Sequence, residues 1–156
     1  MAIIDHGDSD LEGLKERFAE WLQHQPGTKG TKVISLRHAS SANGFSNETY
    51  RVSMEAPEGS QELILRLPPA RTGLFPDYDL ARQYAFMSRL CGETGVSVAR
   101  CRWLEEDDKH LGRPFFVTDF VAGEVAGDQP KYINEGWIVG ASAEQRRTLW
   151  QSSVDQ

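Results

Sequence analysis

The segment Glu62-Leu63-Ile64-Leu65-Arg66-Leu67 followed by Pro68-Pro69 constrains this chain more than any other. Six residues rich in branched apolar side chains favour an extended strand, and two successive prolines end it by removing backbone donors and fixing an extended path. Shorter patterns of the same kind precede it. Val33-Ile34-Ser35-Leu36 and Thr49-Tyr50-Arg51-Val52 read as strands, the second following a polar loop. Pro57-Glu58-Gly59-Ser60 turns the chain between the second and third strands. Short turns between successive strands imply an antiparallel meander.

Helical spacing brackets this meander. Leu11, Leu14, Phe18, Trp21 and Leu22 recur on one helical face after Ser9-Asp10-Leu11-Glu12, which has the form of a capping box. The helix is expected to end near Gln25, before Pro26-Gly27. A second amphipathic helix is predicted from about Tyr78 to Leu90, with Leu80, Tyr84, Met87 and Cys91 aligned and Gly92 ending it. Val98 to Leu104 and Pro114 to Val121 then read as two further strands, joined by the charged turn Glu105 to His110. Phe115, Phe116 and Val117 are expected in the core. A last helix opens near Ser142.

Composition excludes several roles. The 23 acidic residues outnumber 17 basic ones, and no arginine or lysine cluster is interleaved with aromatics, so a nucleic-acid partner is not expected. No apolar run approaches a membrane span, and Met1 to Asp10 carry acids where a secretion signal would be basic and then apolar; the expected compartment is the cytoplasm. Cys91 and Cys101 lack the spacing of a zinc or redox pair and are expected to be buried free thiols. Glu105-Glu106-Asp107-Asp108 lacks the alternating ligands of a calcium loop and reads as a solvated turn. No metal site is predicted.

The order helix, three strands, helix, two strands gains meaning from particular residues. Gly44-Phe45-Ser46-Asn47-Glu48-Thr49-Tyr50-Arg51-Val52, Leu65-Arg66-Leu67-Pro68-Pro69, and Leu111-Gly112-Arg113-Pro114-Phe115-Phe116-Val117-Thr118-Asp119-Phe120-Val121-Ala122-Gly123 occur in that order. Together they resemble the aminoglycoside phosphotransferase family, especially its branch similar to the kinase-like domains associated with acyl-CoA dehydrogenases. The resemblance implies an α+β fold, the N-terminal lobe of a protein-kinase-like protein. In that lobe one helix is inserted after the third strand of a five-stranded antiparallel sheet, and here an N-terminal helix precedes it. Residues 1–121 would form the nucleotide-binding lobe, and 122–156 the hinge or linker and the first helix of a truncated C-terminal lobe.

The same resemblance implies the site. Gly44, Phe45, Ser46 and Asn47 would form a loop whose backbone N–H groups and Ser46 hydroxyl approach the phosphates of ATP. Arg66 falls where such kinases place the strand cation that contacts those phosphates, a task a guanidinium can perform bidentately. Gln83 matches the helix acid that usually orients this cation, and could accept a hydrogen bond from Arg66 without supplying charge. Thr118 would flank the back of the base pocket, and the backbone of Asp119 and Val121 would meet the adenine edge. On turn chemistry alone a simple hairpin turn is the favoured reading of the loop, and strand periodicity leaves Arg66 equally a solvent-facing strand residue.

Catalysis in this family follows the hinge, in a His-Gly-Asp segment and a later magnesium-binding Asp, and neither has a counterpart after Val121. His6-Gly7-Asp8 repeats the letters, but Gly13 stands five residues after Asp8 where an Asn is expected, so no catalytic residue is assigned. The expected function is therefore the ATP-binding lobe of a small-molecule kinase that transfers the γ-phosphate to an unidentified hydroxyl acceptor, with magnesium held by the missing lobe. The isolated chain would be inactive, and Trp137, Ile138, Leu149 and Trp150 would form an exposed edge open to self-association. The alternative is a noncatalytic binding or interaction module built on the same small lobe.

Overall fold

The computed structural model describes residues 7–39, 47–69, 77–124, 126 and 131–155. Its elements run α1 (Gly7–Leu22), β1 (Lys32–His38), β2 (Glu48–Ala56), β3 (Gly59–Leu67), α2 (Leu80–Glu93), β4 (Cys101–Glu105), β5 (Phe115–Asp119), α3 (Trp137–Gly140) and α4 (Ala143–Val154). The strands form a five-stranded sheet in the order β1-β2-β3-β5-β4, antiparallel at every junction. This is the α+β small-lobe architecture expected from the sequence, with α2 inserted after β3 and α1 leading the chain.

The sheet owes its two-sidedness to the strand pleat, which sends alternate side chains to opposite faces. Tyr50, Val52 and Met54 of β2, Leu63, Leu65 and Leu67 of β3, and Phe115 and Val117 of β5 share one buried cluster with Leu14, Phe18, Trp21 and Leu22 of α1. Burying a large apolar side chain contributes about 1.5–3 kcal/mol, so this single face supplies much of the stabilisation. On the other face Phe116 of β5 meets Tyr84 of α2, edge to face with ring centroids 6.2 Å apart. A helix thus packs on each side of the sheet.

β1 departs from simple alternation. Its pairing with β2 shifts register between Val33 and Ser35, so Val33 and Leu36 both reach the core side while Ile34 is left 55% exposed. One bulge reverses the phase of a strand, because the side-chain period is two. The turn to β3 is tighter. Ala56 pairs directly with Gly59, leaving Pro57 and Glu58 as the loop, and Gly59 adopts φ 128°, a value open to glycine.

Several expected boundaries and burials are corrected. Helix α1 already includes Ser9, so the capping-box position lies inside it, and it stops at Leu22 instead of near Gln25. There the Thr28 hydroxyl donates to the carbonyls of Leu22 and Gln25, supplying partners for the helix end. Helix α2 runs through Gly92 to Glu93, and the Thr94 hydroxyl closes it by donating to the Leu90 carbonyl at 2.7 Å. Leu80 alone is buried on α2. Cys91 is exposed and Cys101 partly so, against the expectation of two buried thiols, since Cys91 lies near the end of α2 and Cys101 opens the edge strand β4. The capping box that does form is Ser142 with Gln145, opening α4. No described helix is long and apolar enough to cross a membrane.

An aromatic cluster ties α1 to the β4–β5 end of the sheet. Trp21 packs edge-on to Phe115 (4.7 Å between centroids) and to Trp103 (6.1 Å), with Phe18 beside it at 5.5 Å. Its indole Nε1 donates to Glu105 Oε2 at 2.9 Å. The Asp107 backbone N–H donates to the other Glu105 oxygen at 3.0 Å. Glu105 is therefore an anchor between layers, while Glu106, Asp107 and Asp108 remain exposed, as expected of a solvated turn. Burial raises the Glu105 pKa, but the Trp21 and Asp107 donors and nearby His110 outweigh it, and the carboxyl is held below its usual range.

A carboxyl lowered on folding contributes stability that is present above its unfolded pKa and lost as pH falls through the folded value. Trp21→Phe, which removes the donor and part of the buried bicyclic ring, should cost at least about 1–3 kcal/mol near neutral pH. In urea titrations across acidic pH, the gap between the wild type and Trp21→Phe should narrow as pH falls. A gap independent of pH would show that the hydrogen bond to ionised Glu105 is not its source.

Candidate functional site

The face of the sheet opposite α1 carries the residues expected to bind a ligand. Arg66 lies opposite Thr49 of β2 and Phe116 of β5, and Ile64 lies opposite Thr118. Because Leu65 and Leu67 point into the α1 core, the pleat delivers Arg66 to the α2 side. Its guanidinium carbon sits 5.9 Å from the Phe116 ring centroid, over the face of the ring. That is a cation–π geometry.

Among the described residues Arg66 forms no ion pair, and its Nε is a buried donor with no hydrogen-bond partner. Burial holds its pKa below the ordinary arginine value, partly offset by Cys101. It remains a cation, since arginine does not deprotonate in proteins. A buried donor left unmatched costs free energy in the absence of a partner, so this position favours an incoming acceptor such as a phosphate or carboxylate oxygen.

Gln83, on α2, makes a different contact from the one expected. Its Oε1 accepts from Asn47 Nδ2 at 3.0 Å, so the helix amide is joined to the residue preceding β2 and not directly to Arg66. Asn47 Oδ1 is buried without a partner. It and Arg66 Nε are the two buried, unmatched side-chain polar atoms among the described residues. Gly44, Phe45 and Ser46 lie outside the described residues.

At the other end of the site Thr118 is 2% exposed, with its hydroxyl donating to the Asp119 carbonyl at 3.2 Å. The Asp119 N–H is bonded to the Arg100 carbonyl at 2.9 Å, and its carboxylate pairs with Arg102. Val121 is 66% exposed. No described group of His, Cys, Asp or Glu side chains could hold a metal ion.

Two frames that sequence patterns did not reveal hold the strand ends around the site. Arg113 donates to the Pro68 carbonyl and, at 2.8 Å, to Glu48 Oε2, which also accepts from the Tyr50 hydroxyl at 3.0 Å. One guanidinium thus joins the start of β2, the end of β3 and the turn before β5. Arg51 pairs with Glu62 across β2 and β3 and stacks 3.9 Å from the Phe120 ring centroid. The Phe120 N–H donates to the Glu62 carbonyl, fixing the chain just after β5. Glu48 and Arg113 stand within the quoted motifs, but only their spatial meeting identifies the frame.

Residues 40–152 match the family described as the phosphotransferase enzyme family, more than half of the chain. Among solved structures, the chain is similar to the crystal structure of a "putative aminoglycoside phosphotransferase" from Ralstonia eutropha JMP134. The two are 31% identical with a TM-score of 0.52, over 73% of this chain and 30% of that one. The chain thus spans under a third of the length of that relative.

Arg113→Ala should leave Glu48 and the Pro68 carbonyl short of a donor in a half-buried setting. A loss of about 1–3 kcal/mol in chemical denaturation is expected. An unchanged midpoint would show that Arg113 does not brace the strand ends.

Proposed function

Because the chain belongs to the phosphotransferase enzyme family, we propose that its sheet is the ATP-gripping small lobe of a kinase that phosphorylates a hydroxyl of a small molecule. The observation that carries this reading is Arg66, a half-buried cation whose Nε is unmatched among the described residues. It stands on the same face as Thr118 and close in sequence register to the Asp119–Val121 stretch. Such a group fits a phosphate oxygen, and the residues present therefore suit a nucleotide.

In this reading Arg66 holds the phosphates together with the backbone of Gly44, Phe45, Ser46 and Asn47. Thr118 closes the back of the base pocket, the Asp119 carbonyl receives the adenine amino group, and the Val121 N–H donates to the ring. Backbone recognition of this kind leaves side-chain identity free. The Arg51–Phe120 stack and the Arg113 frame then act by keeping strand ends and hinge in place. Bound ATP supplies the transferable phosphoryl group, with magnesium offsetting its charge.

Residues 1–121 form the nucleotide lobe in this account, and 122–156 lead toward a larger lobe. Trp137, Leu149 and Trp150, exposed by 39%, 37% and 68%, suit a surface that packs against such a lobe or self-associates when it is absent, whereas Ile138, expected in the same edge, is half-buried. Acceptor positioning and magnesium ligation are assigned to that lobe, so phosphoryl transfer needs a protein that carries it. The cytoplasm, where ATP is abundant, is the compartment this role requires. A second reading, a noncatalytic nucleotide-binding module, draws support from the neutral Gln83 and its engagement by Asn47.

Calorimetric titration of the 156-residue chain with ADP should give weak binding. Arg66→Ala should weaken it about tenfold or more, the scale of a lost charge-assisted contact, with no fall in the denaturation midpoint. Equal affinity in the two proteins would refute the phosphate role of Arg66.

A further inference from the structure

The two buried polar atoms without partners, Arg66 Nε and Asn47 Oδ1, are a donor and an acceptor. They also share one face of the sheet. Thr49 lies directly opposite Arg66, and Glu48 opposite Leu67, which puts Asn47 diagonally beyond Arg66 along β2. Diagonal neighbours on a sheet lie roughly 7–8 Å apart at their backbones, within reach of a long side chain such as arginine. The Asn47 amide is not free to turn, because its Nδ2 is held by Gln83 Oε1 at 3.0 Å. That bond leaves Oδ1 as the amide's remaining acceptor.

We propose that Gln83 and Asn47 form a two-amide relay that positions Arg66 for phosphate: Gln83 fixes Asn47, and Asn47 Oδ1 receives the Arg66 Nε–H when the guanidinium swings to its ligand. This rests on the nucleotide reading given above. The relay does the orienting work of a carboxylate without carrying its charge. With Nε engaged, the two Nη groups remain as an end-on fork for phosphate oxygens, and no anion competes with the ligand for the cation. Arg66 then moves from its place over Phe116 toward Asn47, exchanging a cation–π contact for two sets of hydrogen bonds. Asn47 and Gln83 are positioning residues, since they act through Arg66.

A double-mutant cycle on the full chain, read by ADP titration, tests this. Asn47→Leu should weaken ADP binding about tenfold and Gln83→Leu about three- to tenfold, while adding Gln83→Leu to Asn47→Leu should change it less than about twofold. In nitrogen-15 NMR spectra of the ADP-saturated protein, the Arg66 Nε–H signal should be protected from exchange, and that protection should be lost in both single variants. Additive losses, or protection that survives Asn47→Leu, would overturn the relay while leaving the phosphate role of Arg66 standing. If Arg66→Ala leaves ADP affinity unchanged, the nucleotide reading itself falls, and the relay with it. Fold integrity is followed in each variant by the Phe116 and Val117 amide signals, which lie in the buried strand β5.

Discussion

The pleat of β3 sends Leu63, Leu65 and Leu67 beneath α1 and leaves Arg66 on the opposite face, and the rest of the site is arranged around that division. A strand with period two cannot bury three leucines on one side without presenting the intervening residues on the other. Slipping β3 by one residue would drive a guanidinium into the aromatic cluster of Phe18, Trp21 and Phe115 and expose the leucines. The cost of burying an unpaired charge in apolar surroundings excludes that register. The core therefore specifies the site: packing against α1 holds the cation where α2 and β5 can frame it.

Charge around the sheet is distributed unevenly. Arg51 is matched by Glu62 and Arg102 by Asp119, so these cations act as braces. Arg113 is matched by Glu48. Arg66 instead lies over an aromatic ring, with its Nε unmatched among the described residues. That contrast supports the proposed role of Arg66 toward a ligand, and it agrees with the membership of a phosphotransferase family. The overall acidity of the chain, net charge −6, does not oppose phosphate binding at one half-buried position, since surface charges are screened over about 8 Å at physiological salt.

Local patterns made much of the fold legible in the sequence. Alternation in β3 with its terminal prolines, the Pro57-Glu58 turn, the apolar run Phe115 to Val117 and the cap at Ser142 each act over a few residues, and each appears where its chemistry requires. The contacts that escaped reading are distant in sequence. Trp21 and Glu105 are 84 residues apart, Glu48 and Arg113 are 65, and Asn47 and Gln83 are 36. No periodicity encodes such meetings. The bulge in β1 escaped because Val33-Ile34-Ser35-Leu36 fits uninterrupted alternation equally well, and only its pairing with β2 breaks the phase. At the site, resemblance pointed to Arg66 and Gln83, but the partner of Gln83 followed from where β2 begins relative to α2.

The central claim is that the α2 side of the sheet, centred on Arg66, is where a nucleotide sits. Titrating ADP into nitrogen-15-labelled protein and mapping the shifted amides onto the sheet tests it directly. The account predicts concentration-dependent shifts confined to Asn47, Thr49, Arg66, Gln83 and the Thr118 to Val121 stretch, with Leu14, Phe18 and Trp21 of α1 unmoved. Shifts centred on α1, or none at ADP concentrations that saturate ordinary small lobes, would contradict it.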